Sequence, residues 1–172
     1  MLFSIRDFQP PDFETLWRID QQCFAPGISY SRPELAAYMR MSGAFTLVAE
    51  AGAGEHTASP QDKPLTAQVV GFVVVTNKKG AGHIITIDVV PTVRRSGVGT
   101  SLLLAAEAKL RAVGGRTVRL ETAVNNTPAL AFYKRHGYTI DRTIPRYYPD
   151  GVDAFVMTKD LLSEPLPDNL RS

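Results

Sequence analysis

Apolar residues recur along the chain with two alternating periods, and the changes of period divide it into elements. Leu2 to Phe8 alternates enough for a first strand. Pro10-Pro11-Asp12 opens a helix that runs to about Phe24, with Phe13, Leu16, Ile19 and Cys23 at helical spacing, and Pro26-Gly27 ends it. Ser31-Arg32-Pro33-Glu34 has the Ser-to-Glu spacing of a capping box and starts a second helix to about Met41. Ala44 to Glu50 and Val69 to Thr76 read as strands. The small, polar, proline-containing stretch 51–68 between them lacks any period and reads as a long mobile hairpin loop, with His56 a solvated member of it. Asn77-Lys78-Lys79-Gly80 turns the chain into the β-branched run Ile84 to Val90. A helix follows, with Leu102, Leu103, Ala106 and Leu110 on one side, and Gly114-Gly115 stops it. Arg116 to Ala123 alternates, Val118 and Leu120 facing one way and Thr117, Arg119 and Glu121 the other. Asn125-Asn126-Thr127-Pro128 begins a helix of about ten residues that Gly137 ends, and two strands, Tyr138 to Ile144 and Ala154 to Lys159, close the order βααβββαβαββ. That order predicts an α/β fold (α+β in its mixed sheet), with helices on both faces.

Composition narrows the class. A chain of 172 residues with 44% apolar content has the makings of one globular domain. A net charge of +2 gives little support for a nucleic-acid partner. The charge is uneven: residues 1–80 carry seven Lys/Arg and eight Asp/Glu, the remainder twelve and nine, so the positive excess lies in the half that suits an anionic ligand. Cys23 is the only cysteine, which excludes an intramolecular disulfide and reads as a buried helix residue. No signal pattern and no apolar run of membrane-spanning length occur, which points to a cytoplasmic protein with no membrane partner.

The chemistry-bearing stretch is Arg94-Arg95-Ser96-Gly97-Val98-Gly99, between a strand and a helix. A helix N-terminus offers unpaired N–H groups and positive potential, and glycines let backbone approach a phosphate. The nucleotide-triphosphate loop G-x-x-x-x-G-K-[ST] is absent, and Leu102 stands where the third glycine of G-x-G-x-x-G would be. R-x-x-G-x-G remains, and a plain turn with solvated arginines fits the same residues. Other positions stay open in the same way. Tyr30 lies on a loop, Ala25 to Tyr30, that can line a substrate groove, or it packs. Glu121 is either a base or a carboxylate paired with Arg119 or a neighbouring strand. His136, beside Lys134 and Arg135, reads as solvated. The three histidines form no metal-ligand set.

Taken together, R94-x-x-G97-x-G99, L120-E121, N126 and A131-F132-Y133-x-x-x-G137-Y138 resemble the GNAT acyl-CoA-dependent N-acetyltransferases. The hairpin Y147-Y148-P149-D150-G151-V152-D153-A154 is similar to that of the branch that acetylates protein N-termini, the RimI-type and archaeal-type enzymes, although Pro145-Arg146 stands where RimI-type members often have Arg-Asn. The resemblance covers about residues 3–161, one domain, and leaves 162–172 as a proline-rich tail. It implies a central sheet splayed at an acetyl-CoA site, with Arg94, Arg95, Ser96, Gly97, Val98, Gly99 and Thr100 at the pyrophosphate. It implies Ile87, Asp88 and Val89 along the pantetheine arm, with Val89 N–H as oxyanion donor, and Asn126 as a further cofactor contact. Asp88 departs from the small apolar residue often found there; it either faces the substrate or caps a neighbouring N–H. Glu121 matches the general base, Tyr133 the general acid at the CoA sulfur, and Phe132 beside it the purely packing aromatic. Tyr147 and Tyr148 would flank the acceptor groove, together with Tyr30. The implied partners are acetyl-CoA and a peptide or protein N-terminus, a ribosomal protein among the candidates; no metal is implied, and the oligomeric state is left open. A small-molecule amine or a lysine side chain is the alternative acceptor.

Overall fold

The computed structural model describes residues 2–52 and 67–163. Most of the expected 51–68 loop, with His56, and the tail beyond Ser163 lie outside the described residues. The elements follow the expected order: β1 (Phe3–Asp7), α1 (Phe13–Cys23), α2 (Arg32–Met39), β2 (Ala44–Ala51), β3 (Gln68–Lys78), β4 (Ala81–Val89), α3 (Val98–Ala112), β5 (Thr117–Ala123), α4 (Thr127–Arg135), β6 (Thr139–Ile144) and β7 (Ala154–Asp160). The seven strands form one mixed sheet in the order β1-β2-β3-β4-β5-β7-β6. The ladder between β4 and β5 is parallel, Ala81 to His83 against Thr117 to Arg119, whereas β1 with β2, β2 with β3, β5 with β7 and β6 with β7 are antiparallel. Two boundaries differ from the sequence expectation. The turn between β3 and β4 is confined to Lys79 and Gly80, because both strands run further than their β-branched cores. Pro10–Asp12 and Pro91–Val93 form short 3-10 turns, the tight geometry that proline allows at a chain reversal.

The chain divides into two compact units, Met1–Thr76 with Ile84–Ala108 and Asn77–His83 with Lys109–Ser172. In the first, α1 turns Leu16 and Ile19 inward and α2 turns Leu35 inward, onto Val48, Val69, Phe72 and Val74 of the sheet. Gly71, between Phe72 and the bulged register of β3, faces the other way, towards α3. A Cβ there would stand 2.7 Å from the Asp88 carbonyl oxygen and 3.2 Å from Leu102, so only glycine lets β4 and α3 close over it. This unit therefore carries helices on both faces of its strands. The expected α3 stripe is buried: Leu102, Leu103 and Ala106 are inaccessible. The α2 N-terminus is capped as the sequence predicts, Ser31 N–H donating to Glu34 Oε2 at 2.8 Å and Glu34 N–H to Ser31 Oγ at 3.4 Å.

In the second unit, Val118 and Leu120 of β5 are buried with Tyr138, Val156 and Met157. Glu121 and Arg119 point to the opposite, half-exposed face, as alternation requires. Asn126 Oδ1 caps α4 by accepting the Ala129 N–H at 3.2 Å. β6 is an exposed edge strand carrying Asp141 and Arg142, charges that discourage further pairing. Among the described residues no helix is long and apolar enough to cross a membrane.

Candidate active site

The first unit holds the glycine turn expected to bind an anion. Val90 is followed by Pro91–Val93, a reversal closed by Val93 N–H to Val90 O at 3.0 Å and by Ser96 Oγ to Val93 O at 2.5 Å. Arg95 and Gly97 then adopt left-handed backbone, φ 68° and 90°. Space around Gly97 is open, so glycine is needed there for its conformation and not for clearance. The bond from Ser101 N–H to Gly97 O, 3.0 Å, starts the helix, which puts the N–H groups of Val98, Gly99 and Thr100 in its first, unpaired turn. Unpaired amides at the positive end of a helix are a general site for anions such as phosphate. Arg94 departs from the rest of the motif: its Nε donates to the Val89 carbonyl at 3.2 Å.

Asp88 is 1% exposed, and its carboxyl accepts from Thr86 Oγ1 at 3.0 Å. The side chain lies in the interior, its bonded partner is a hydroxyl, and Oδ2 is buried with no hydrogen-bond partner among the described residues. Burial, with the nearby Asp20 charge, pushes it well above the ordinary carboxylate range. Cys23 is half-buried, and its thiol donates to Val89 O at 3.4 Å. Tyr30 packs its ring on Tyr38 at 5.2 Å, and α1 clamps its peptide groups: Asp20 Oδ2 accepts its N–H at 2.8 Å, while Trp17 Nε1 and Gln21 Nε2 donate to its carbonyl at 3.1 and 2.8 Å. A cavity of about 540 Å³ in this unit, bordered by Arg6, Asp12, Arg18 and Glu50, contains none of the expected site residues.

The second unit holds Glu121 and its partners. Glu121 Oε2 lies 2.6 Å from His83 Nε2, and its Oε1 accepts from Arg119. Burial pushes this carboxyl up, but His83 and Arg119 together outweigh it and hold Glu121 below the usual glutamate value. A carboxylate only accepts, so His83 Nε2 carries the hydrogen and Nδ1 is the basic nitrogen of the neutral ring. The sequence reading overlooked His83. It names the pairing with Arg119 but not the imidazole across the ladder. The parallel ladder ends on His83 against Arg119, and the imidazole reaches Glu121 two residues further along β5, a pairing that no residue spacing in the sequence signals.

Tyr133 is 8% exposed, wedged between Phe132 and Tyr138 with ring centroids 5.2 and 5.6 Å away. It, and not Phe132, is the more buried of the two neighbours. His136 is half-buried: its Nδ1 donates to Phe132 O at 2.7 Å and its ring lies 4.6 Å from Phe132. The Tyr147–Tyr148 rings meet edge to face at 5.0 Å. Asp153 accepts the Arg146 N–H at 2.8 Å and Asp150 the Val152 N–H at 3.1 Å, which ties the hairpin down. The Tyr148 phenol is pushed up to about 12 by burial first, then by the charges of Tyr147, Glu121 and Asp150. No group of three metal-ligating side chains occurs among the described residues.

Residues 13–138 match the model of the acetyltransferase (GNAT) family. An N-alpha-acetyltransferase of Sulfurisphaera tokodaii is 38% identical over 81 residues, 46% of this chain and 48% of that one, so the match spans about half of that relative. An uncharacterised N-acetyltransferase of Methanocaldococcus jannaschii is 30% identical over 156 residues, 90% of each chain. The crystal structure of Ard1 from Thermoplasma volcanium superposes with a TM-score of 0.77 at 27% identity, covering 93% of this chain and 98% of that one. With the family model matched over residues 13–138 and a 30% identical relative matched over 90% of each chain, this chain belongs to the acetyltransferase (GNAT) family.

Proposed function

We propose that this chain transfers the acetyl group of acetyl-CoA to the α-amine of a peptide or protein N-terminus, by direct attack in a ternary complex, with residues 1–161 acting as one catalytic domain. The observation that carries the reading is the His83–Glu121 contact at 2.6 Å, with Tyr148 near enough to feel the Glu121 charge. It joins a base to an aromatic hairpin suited to peptide: tyrosines offer apolar area and a hydroxyl for peptide carbonyls. The N-alpha-acetyltransferase name of the Sulfurisphaera relative supports the same acceptor.

The amides of Val98, Gly99 and Thr100, with Arg95 and Ser96, hold the pyrophosphate, and Asn126 adds a contact from the start of α4. The edge of β4 at Ile87 to Val89 takes the pantetheine arm as an added strand. An α-amine has a pKa of roughly 7.7–8.0 against roughly 10.4 for lysine, so near neutrality it needs little help to shed its proton. His83 Nδ1 accepts that proton directly or through water, and Glu121 stabilises the resulting imidazolium. The nitrogen attacks the thioester carbon, Val89 N–H bonds the oxygen as it becomes negative, and the C–S bond breaks. Tyr133 O–H protonates the departing sulfur, and the second proton shed by the new amide nitrogen restores the Tyr133 hydroxyl directly or through water.

The test is thiol release from acetyl-CoA with peptides beginning Ala, Ser, Met or Thr, beside an N-blocked lysine peptide. Turnover of the free N-termini is expected. Turnover of the lysine peptide alone would move the acceptor to a side-chain amine.

A further inference from the structure

Arg94 is the first residue of the glycine-turn motif, yet its side chain turns back on the strand before it. The short reversal at Pro91–Val93 leaves Arg94 extended, φ −60° and ψ 153°, and Nε reaches the Val89 carbonyl at 3.2 Å. The Cys23 thiol donates to the same oxygen at 3.4 Å. On the other side, Val90 N–H donates to Val70 O at 2.9 Å. Successive strand residues direct their peptide groups to opposite edges, and the N–H and C=O of one residue share an edge. Both peptide groups of Val89 therefore lie on the edge away from β3. That is the edge proposed to take the thioester, with the Val89 N–H as oxyanion donor.

An uncovered carbonyl on that edge would set a partial negative charge beside the N–H that must stabilise a developing anion. Arg94 and Cys23 cover it, and the guanidinium brings a positive charge to the same place. Arg94 also acts on Cys23 itself: burial and the Asp88 charge raise the thiol, and Arg94 opposes them.

We propose that Arg94 is a positioning residue for acetyl transfer, bracing the Val89 peptide so that its N–H serves the oxyanion, and is not a ligand of the cofactor's phosphates. The effect on turnover rests on the acetyl-transfer reading; the brace itself does not. Two variants of the full chain test it. Arg94→Met keeps the aliphatic length and removes charge and donors; Arg94→Lys keeps the charge. In Arg94→Met, affinity for CoA by calorimetry is expected to stay within about threefold of wild type, while kcat on Ala- or Ser-initiated peptide falls roughly ten- to a hundredfold, the scale of a lost charge-assisted hydrogen bond. Arg94→Lys recovers part of the kcat. The Val89 carbonyl ¹³C resonance, recorded without CoA, moves in Arg94→Met. A tenfold or greater loss of CoA affinity at unchanged kcat would make Arg94 a phosphate ligand and overturn the proposal. An unmoved Val89 resonance would overturn it even if no peptide were acetylated, an outcome that by itself counts only against the acceptor assignment.

Discussion

Replacing Glu121 by glutamine separates chemistry from binding. The carboxylate accepts from His83 Nε2 at 2.6 Å and from Arg119. A glutamine of the same shape has one accepting oxygen, so it satisfies only one of these donors and turns an N–H₂ towards the other. The His83 tautomer is then no longer enforced, and the imidazolium formed during proton transfer loses its counter-charge. General acid–base assistance is worth roughly 10²–10⁴-fold, and water can still reach a half-exposed imidazole, so the expected loss in kcat is about 10²–10³-fold, or about 3–4 kcal/mol of barrier. The assay is steady-state thiol release with an Ala-initiated peptide from about pH 5 to 9. The sign of the pH effect follows from the depressed Glu121 carboxyl. It is ionised throughout this range, so glutamine lowers the plateau and does not remove an acid limb centred near the ordinary glutamate value. The same depression contributes stability above the unfolded pKa that is lost as pH falls through the folded one. Glu121→Gln therefore lowers stability near neutrality and not in strong acid, where the wild-type carboxyl is protonated as well. A plateau within about threefold of wild type, or a loss confined to the KM of acetyl-CoA, would refute the assignment of Glu121 to the chemical step.

Gly97→Ala forces a side chain onto φ 90° in open space, a backbone cost of about 1–2 kcal/mol that reshapes the amide cradle. Calorimetry should show CoA binding about tenfold weaker. Gly71→Ala drives a Cβ to 2.7 Å from the Asp88 carbonyl in a strand that cannot move aside, so denaturant unfolding should report a loss of about 1–3 kcal/mol. Asp20 is inaccessible, and burial, its largest influence, raises its carboxyl to about 6 despite bonds from Tyr30 and Gln21. A folded value above the unfolded one contributes stability that is full below the unfolded pKa and lost as pH rises through about 6. Asp20→Asn keeps an oxygen for Tyr30 N–H and cannot ionise, so its stability relative to wild type should rise between about pH 4 and 7, by up to about 3 kcal/mol; a constant difference across that range would count against the raised value.

What could be read from the sequence divides according to the range of the interaction. The cap at Ser31-Glu34, the α3 stripe and the β5 alternation are set by neighbours a few residues apart, and each is found where local chemistry puts it. Two features of the candidate site escape such spacing, one because its partner is distant in sequence and one because a turn redirects a side chain. His83 meets Glu121 because β4 and β5 are parallel with His83 opposite Arg119, a pairing between strands separated in the chain by the whole of α3. Arg94 reads as a phosphate ligand because its motif is basic and glycine-rich, but the Pro91–Val93 reversal sends the side chain back to Val89. The same reversal delivers the amides of residues 98–100 to the helix end. One short turn thus governs both proposed functions of the stretch: its backbone faces the pyrophosphate, while its first arginine conditions the strand edge for the thioester. A mutation there can impair binding or catalysis separately, according to whether it alters the path of the backbone or the direction of a side chain.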